Sequence, residues 1–298
     1  RDSSTSRGLG DVYKRQVLVE VTSKEISNYI DSCDALLLGL ENFSVLNSVT
    51  FSLTEIREII NKYPKMEIFV KMDKNIFNKE IDEVRRVLLE LEQMSICGVF
   101  FYDLAILELK QELSLSLDLV WSQTHMVTNT CTCDYYFHQG VHYALLSKEI
   151  TLDEIVAIAK ESSISTIVEV VSLPSVGYSR RRLVHNYYED LGENGSSTLS
   201  VLEKITNKNY LVKEEENGTG FLLDEVLNGT SVISSLYQAD VDYVLFREEG
   251  IPSFLELLHD TKKYIVDGCS DASYVEKYKK LGDSTGFFFK KTIYRVKK

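Results

Sequence analysis

The stretch "ALLLGL", residues 35–40, has no polar side chain at any position. A strand with one wet face alternates apolar and polar residues. A run without alternation is covered on both faces, as in a parallel sheet flanked by helices. "GVFFYD" (98–103) and "TIVEVVS" (166–172) read the same way. Short β-branched or aliphatic runs at "VLVEV" (17–21), "EIFVK" (67–71), "LDLVWSQ" (117–123), "HYALLS" (142–147) and "DYVLF" (242–246) bring the set to eight.

Helical patterns fill the gaps. "SLTEIREIINKY" puts Leu53, Ile56, Ile60 and Tyr63 on one face, behind a capping box of Ser52 and Glu55. "KEIDEVRRVLLELEQM" aligns Ile81, Val84, Leu88 and Leu91. "TLDEIVAIAKE" opens on a second capping box, Thr151 with Glu154. "SFLELLHDTKKYI" aligns Phe254, Leu257, Leu258 and Ile265. Strands and helices in alternation predict an α/β chain of the (β/α)8 type, a TIM-barrel-like fold. An open doubly wound sheet is the alternative, but no glycine-rich phosphate fingerprint follows the first strand.

One region breaks the alternation. Asn217-Gly218, between apolar-edged runs, signals a hairpin, so residues of about 187–230 read as a small antiparallel β insertion after strand seven. In a barrel such an insertion sits over the C-terminal mouth. Residues 1–16, polar and without periodicity, read as a leader outside the fold. A single TIM-barrel-like domain is expected over 17–298.

The 298 residues carry a net charge of −12, a poor match to a phosphate backbone. No apolar run is long enough to span a membrane. The five cysteines are an odd number in a large chain, which points to free thiols in a reducing, cytoplasmic setting.

"VWSQTHMVTNTCTCDYYFHQG" (120–140) gathers His125, Cys131, Cys133, Asp134 and His138. If residues 130–139 form a helix, Cys131 and Cys133 lie roughly 200° apart around its axis. Cys131 and His138 are then about 10 Å apart along it. No tetrahedral metal is held that way, so no metal site is expected. Gln123 and Asn129 flank the end of the fifth strand, where an amide can meet a ligand or cap a helix. Among the acids, Asp103 closes strand four, Glu149 follows strand six, and Glu169 lies inside strand seven. A carboxylate within "TIVEVVS" needs a partner. Two carboxylates over one pocket suit acid–base work, which nominates Glu149 and Glu169. Arg180, Arg181 and Arg182 suit recognition of a carboxylate or phosphate, or start a solvated helix. Tyr178 and His185 are possible accessories.

The phrases "SQTHMVTNT", "SKEITLDEI", "VEVVSLPSVGYSRRRL", "YQADVDYVLFREEG" and "TGFFFKKTIYRVKK" occur in this order. Together they resemble the collagenase-like peptidase family U32, in its short, cluster-free form. The resemblance implies a TIM-barrel-like catalytic region with a β excursion, and peptidase activity of unassigned mechanism. It carries over Gln123 and Asn129 as the polar pair of one motif, Glu149 beside Lys148 as another, and Glu169 as the acid of the next strand. Many relatives hold an iron–sulfur cluster on cysteines just after strand seven and hydroxylate RNA bases or quinone precursors. Here that place reads "SLPSVGYSRRRL", so the expectation is no cofactor. The leading expectation is a peptidase that acts on a peptide or small anionic substrate at the barrel mouth. The alternative is a cluster-free RNA- or anion-binding relative of the RNA-hydroxylating members, or a non-catalytic partner subunit.

Overall fold

The computed structural model describes residues 16–290 apart from Thr206 and Asp283. The expected leader lies outside the described residues except Gln16. That residue opens the first strand, and its amide donates to Glu67 Oε1 at 2.8 Å.

The chain runs β1 (Gln16–Glu20), β2 (Ala35–Gly39), α1 (Leu53–Lys62), β3 (Glu67–Met72), α2 (Ile81–Glu92), β4 (Gly98–Phe101) and α3 (Ala105–Glu112). It continues β5 (Leu119–Trp121), α4 (Thr130–His138), β6 (Tyr143–Leu145), α5 (Leu152–Glu161) and β7 (Ser165–Ser172). Then follow β8 (Ser175–Ser179), α6 (Leu183–Leu191), β9 (Thr198–Glu203), β10 (Lys208–Glu215), β11 (Gly218–Leu223) and β12 (Leu227–Asn228). Helix α7 (Ile233–Gln238), β13 (Tyr243–Arg247), α8 (Phe254–Val266) and α9 (Ala272–Tyr278) complete the order.

Strands β1 to β7 and β13 are parallel neighbours, and β13 pairs with both β7 and β1. The sheet therefore closes into a (β/α)8 barrel, as the buried strands predict, and not into an open doubly wound sheet. The capping boxes at Ser52/Glu55 and Thr151/Glu154 are both formed and start α1 and α5.

Period-two alternation sorts each strand into two cores. Leu18, Leu37, Phe69, Phe100, Val120, Leu145, Ile167 and Leu245 point inward and fill the barrel. Val17, Val19, Leu36, Leu38, Ile68, Val70, Val168 and Phe246 point outward and meet Ile56, Val84, Leu88, Ile155, Leu257 and Leu258 of the helices. The β7–β13 register slips between Leu245 and Phe246, so Val170 and Val171 both join the outer core. Such slips cluster near functional ends of sheets.

The insertion is a four-stranded antiparallel sheet, order β8-β11-β10-β9, with α6 packed on it. Glu215 pairs with Gly218, so Glu216-Asn217 forms the two-residue turn and Gly218, at φ 140°, opens β11. The sheet begins earlier than the hairpin signal suggests. "SVGYS" forms β8 although its small polar residues give no strand pattern of their own.

Candidate functional site

Each barrel strand continues its inward row by one more residue toward the mouth. Two positions beyond Leu18, Phe69, Ile167 and Leu245 stand Glu20, Lys71, Glu169 and Arg247. The apolar barrel core is thus roofed by charge. Lys71 Nζ lies 2.7 Å from Glu20 Oε1 and 3.4 Å from Asp73 Oδ2. Arg247 pairs through Nη1 with Glu20 and through Nε with Glu169 Oε2 at 2.9 Å. Lys148 Nζ approaches Glu169 Oε1 at 3.5 Å, and Ser172 donates to the same carboxylate at 2.5 Å. Lys148, Glu169, Arg247, Glu20, Lys71 and Asp73 therefore form one chain of alternating sign across the mouth.

The Glu20 and Glu169 side chains are only 7% and 3% exposed. Charges this deep survive only in such pairing, because desolvation costs several kcal/mol per ion. Burial holds the Arg247 guanidinium down at about 10. Burial also raises Asp73 above the usual carboxylate range, against the pull of Lys71 and a hydrogen bond from the Val45 amide.

Above this floor lies a cavity of about 170 Å3. Its floor is Glu20, Lys71, Asp73, Ser122, Lys148, Glu169 and Arg247. Tyr102, Thr124, His125, Val45, Leu46 and Asn47 line it as well. The insertion supplies Ser175, Val176, Gly177, Tyr178 and Leu222, as expected for an element set over the mouth. Two of the cavity's hydroxyls are engaged: Ser122 Oγ donates to the Phe101 carbonyl at 2.7 Å and Tyr178 Oη to the Asn217 carbonyl at 2.5 Å. His125 Nδ1 lies 3.1 Å from Glu149 Oε1.

The sequence candidates take different places. Glu169 is in the floor. Glu149 is more than half exposed and reaches the cavity only through His125. Gln123 accepts from Trp121 Nε1 at 3.0 Å and donates to the Tyr102 carbonyl at 2.6 Å, which locks the two strand ends together. Asn129 caps α4 by accepting from Thr132 N at 2.9 Å. Asp103 accepts from the amides of Ile76 and Ala105 at 2.8 and 3.0 Å. Arg180 forks onto Glu80 at 2.8 and 3.0 Å, donates to the Asn75 carbonyl, and lies over Phe77. Arg182 lies 3.4 Å from Glu214, and Arg181 is exposed. His185 donates its backbone amide to Glu214 at 3.1 Å.

The floor residues not singled out from sequence are Glu20, Lys71, Asp73, Ser122 and Arg247. Their signal is the inward parity of each strand: counting by two from the apolar core residue reaches every one, Asp73 by a second step beyond Lys71.

The five cysteines stand apart on separate elements or, for Cys131 and Cys133, on different sides of α4, one exposed and one buried. Among the described residues no three histidine, cysteine or acidic side chains gather as metal ligands. This thiol arrangement does not fit the four-cysteine cluster of many relatives.

The model of peptidase family U32 matches residues 24–256. The chain belongs to family U32. A curated U32-like relative, the tRNA hydroxylation protein P2 of Bacillus subtilis, is 24% identical over 286 residues, covering 87% of this chain and 92% of that protein. Among solved structures, 3-hexulose-6-phosphate synthase of Salmonella typhimurium is 8% identical with a TM-score of 0.46, over 85% of this chain and 99% of that one. A mutant tryptophan synthase α-subunit of Pyrococcus furiosus is 11% identical with a TM-score of 0.44, over 92% and 98%. At these values the likeness to solved structures carries no functional meaning. For the U32 barrel described above, the mouth is the end where barrel active sites form. Among its described residues no helix is long and apolar enough to cross a membrane.

Proposed function

We propose that this U32 barrel serves the hydroxylation of tRNA and not the cleavage of peptides. The observation that carries the reading is the near full-length likeness to a tRNA hydroxylation protein, joined to the character of the mouth. Peptide hydrolysis on serine needs a hydroxyl beside a base. Here the Ser122 hydroxyl is spent on a backbone carbonyl, and His125 faces Glu149. The mouth offers instead a rigid set of donors and acceptors, fixed before any ligand arrives by their mutual ion pairs. Preorganised groups of that kind suit orientation of a small polar substrate.

The test is genetic and chemical. In cells lacking the gene, hydroxylated nucleosides of bulk tRNA, measured by mass spectrometry, are expected to fall and to return with the wild-type gene. Purified protein is expected to leave a broad peptide library intact with and without divalent metals. Unchanged tRNA nucleosides together with defined peptide cleavage would reverse the reading.

A further inference from the structure

We infer that the open edge of the insertion sheet, strand β9, pairs antiparallel with the same strand of a second copy of this chain, so that two four-stranded sheets become one of eight across a two-fold axis. The inference stands apart from the tRNA-hydroxylation reading and concerns how the chain assembles.

The backbone is the first argument. Strand β9 pairs with β10, in a register that runs from Thr198 opposite Lys213 to Glu203 opposite Lys208 without a slip. The Glu214 amide donates to the Ser197 carbonyl at 2.7 Å. Bonding alternates along an antiparallel pair, so Leu199, Val201 and Glu203 turn their amides and carbonyls to β10. Those of Thr198, Ser200 and Leu202 turn to the open side, where no other strand lies among the described residues. There the Thr198 amide reaches its neighbour Ser196 Oγ at 3.1 Å. Proteins commonly blunt such an edge with a proline, a bulge or a lysine. Residues 198–202 carry none of these.

The side chains are the second. Val201 and Leu202 are 44% and 51% exposed. Strand parity puts Leu199 and Val201 on one face, with Val212 and Tyr210 opposite them. Helix α6 packs on that face, where its Val184 and His185 amides donate to Glu214 at 2.8 and 3.1 Å. A two-fold axis at Ser200 suits both the backbone and this pattern. It sets Ser200 against Ser200 of the second copy, Thr198 against its Leu202, and Leu199 against its Val201. The outward-turned amides and carbonyls then bond to each other, and the leucine–valine pair forms twice. Apolar cross-strand pairs of that kind stabilise sheets.

Charge selects the occupant. Glu189, Asp190 and Glu193 lead into β9, and Lys204 and Lys208 follow it, all of them exposed. Glu203, at the second end, accepts from the Ile205 amide at 2.7 Å. An antiparallel copy brings the basic end of one edge beside the acidic end of the other, and symmetry repeats the match. A parallel copy would set like charge beside like. Two-fold pairing also uses up the edge, so no further chain can add to it. The outer strands that remain, both β8, lie against the mouths, where the Ser175 carbonyl accepts from Lys148 at 3.3 Å.

The test uses the full chain. Sedimentation across a concentration series is expected to show a reversible dimer. Ser200→Lys sets like charges opposite each other at the axis, and Ser200→Glu does the same. Each is expected to sediment as a monomer with an unaltered circular dichroism spectrum, because Ser200 is exposed. An equal mixture of the two is expected to recover the dimer. Register is read in a Cys131→Ser background, which removes an exposed native thiol. There Ser200→Cys is expected to give a disulfide-linked dimer on mild oxidation, since directly paired Cα atoms lie about 5.5 Å apart. Leu202→Cys is expected not to, because its two copies stand about 13 Å out of line along the strands. A wild-type chain that stays monomeric would overturn the pairing. So would Lys and Glu variants that dimerise as the wild type does, a mixture that stays monomeric, or a crosslink through Leu202→Cys in place of Ser200→Cys.

Discussion

Arg247 joins two carboxylates that come from different strands, Glu20 on β1 and Glu169 on β7. Removing one member of a buried ion network leaves its partners uncompensated, at a cost of about 3–5 kcal/mol. Arg247→Met is therefore expected to lower unfolding stability by about that much, read from urea midpoints at constant slope. A loss below about 1 kcal/mol would mean that the two acids do not depend on it. Glu169 was legible in the sequence because a carboxylate inside an apolar run is expensive unless paired. Lys71 and Arg247 were harder to see because each ends or follows its run, where a charge reads as solvated; Glu20, inside "VLVEV", carried the same signal as Glu169. Gln123, Asn129 and Asp103 have the right residue types at strand ends, but side-chain direction decides whether such groups meet a ligand or the backbone. Here each meets the backbone or a neighbouring side chain. Thiol burial makes a separate prediction. Cys33 and Cys133 are pushed up to about 12 by burial, whereas Cys131 is exposed. Alkylation of the native protein is expected to mark Cys131 and spare those two until denaturant is added. Early labelling of Cys133 would contradict its placement.

The insertion sheet is held to the barrel by a few specific anchors. Arg180 forks onto Glu80, Lys213 binds Glu249, and Asn217 Nδ2 donates to the Ser44 carbonyl at 2.8 Å. Gly220 lets Leu46 approach so closely that a Cβ would sit 2.1 Å from it. Arg180, with help from the Phe77 amide and Lys74, holds the Glu80 carboxyl down at about 2. Its unfolded value is about 4.3, so the folded pKa is depressed. The stabilisation is then full above the unfolded value and fades as pH falls from about 5 toward 2. Glu80→Gln is expected to cost about 2 kcal/mol at neutral pH and to flatten the stability profile across that window. A variant as pH-dependent there as the wild type would contradict the anchor. The hairpin was visible from the Asn217-Gly218 motif, although its turn is Glu216-Asn217 and Gly218 already opens β11. Strand β8 was not, because "SVGYS" takes its strand form from pairing with β11 and not from its own propensity.

At the scale of the molecule, eight parallel strands close on themselves and leave one end roofed by charge and covered by an added sheet. Closure was legible because consecutive apolar runs demand cover on both faces. Convergence at the mouth was not, because Glu20 and Arg247 are far apart in sequence and meet only when β13 returns to β1. The mouth is proposed as the place where this U32 barrel serves tRNA hydroxylation. It is tested most directly by the level of hydroxylated nucleosides in tRNA from cells that carry only Lys148→Met, with the protein's abundance and melting temperature measured alongside. The expected result is a folded protein at wild-type abundance with hydroxylation near that of the gene deletion, while the wild-type gene restores it. Full hydroxylation with Lys148→Met would rule out a role for the mouth.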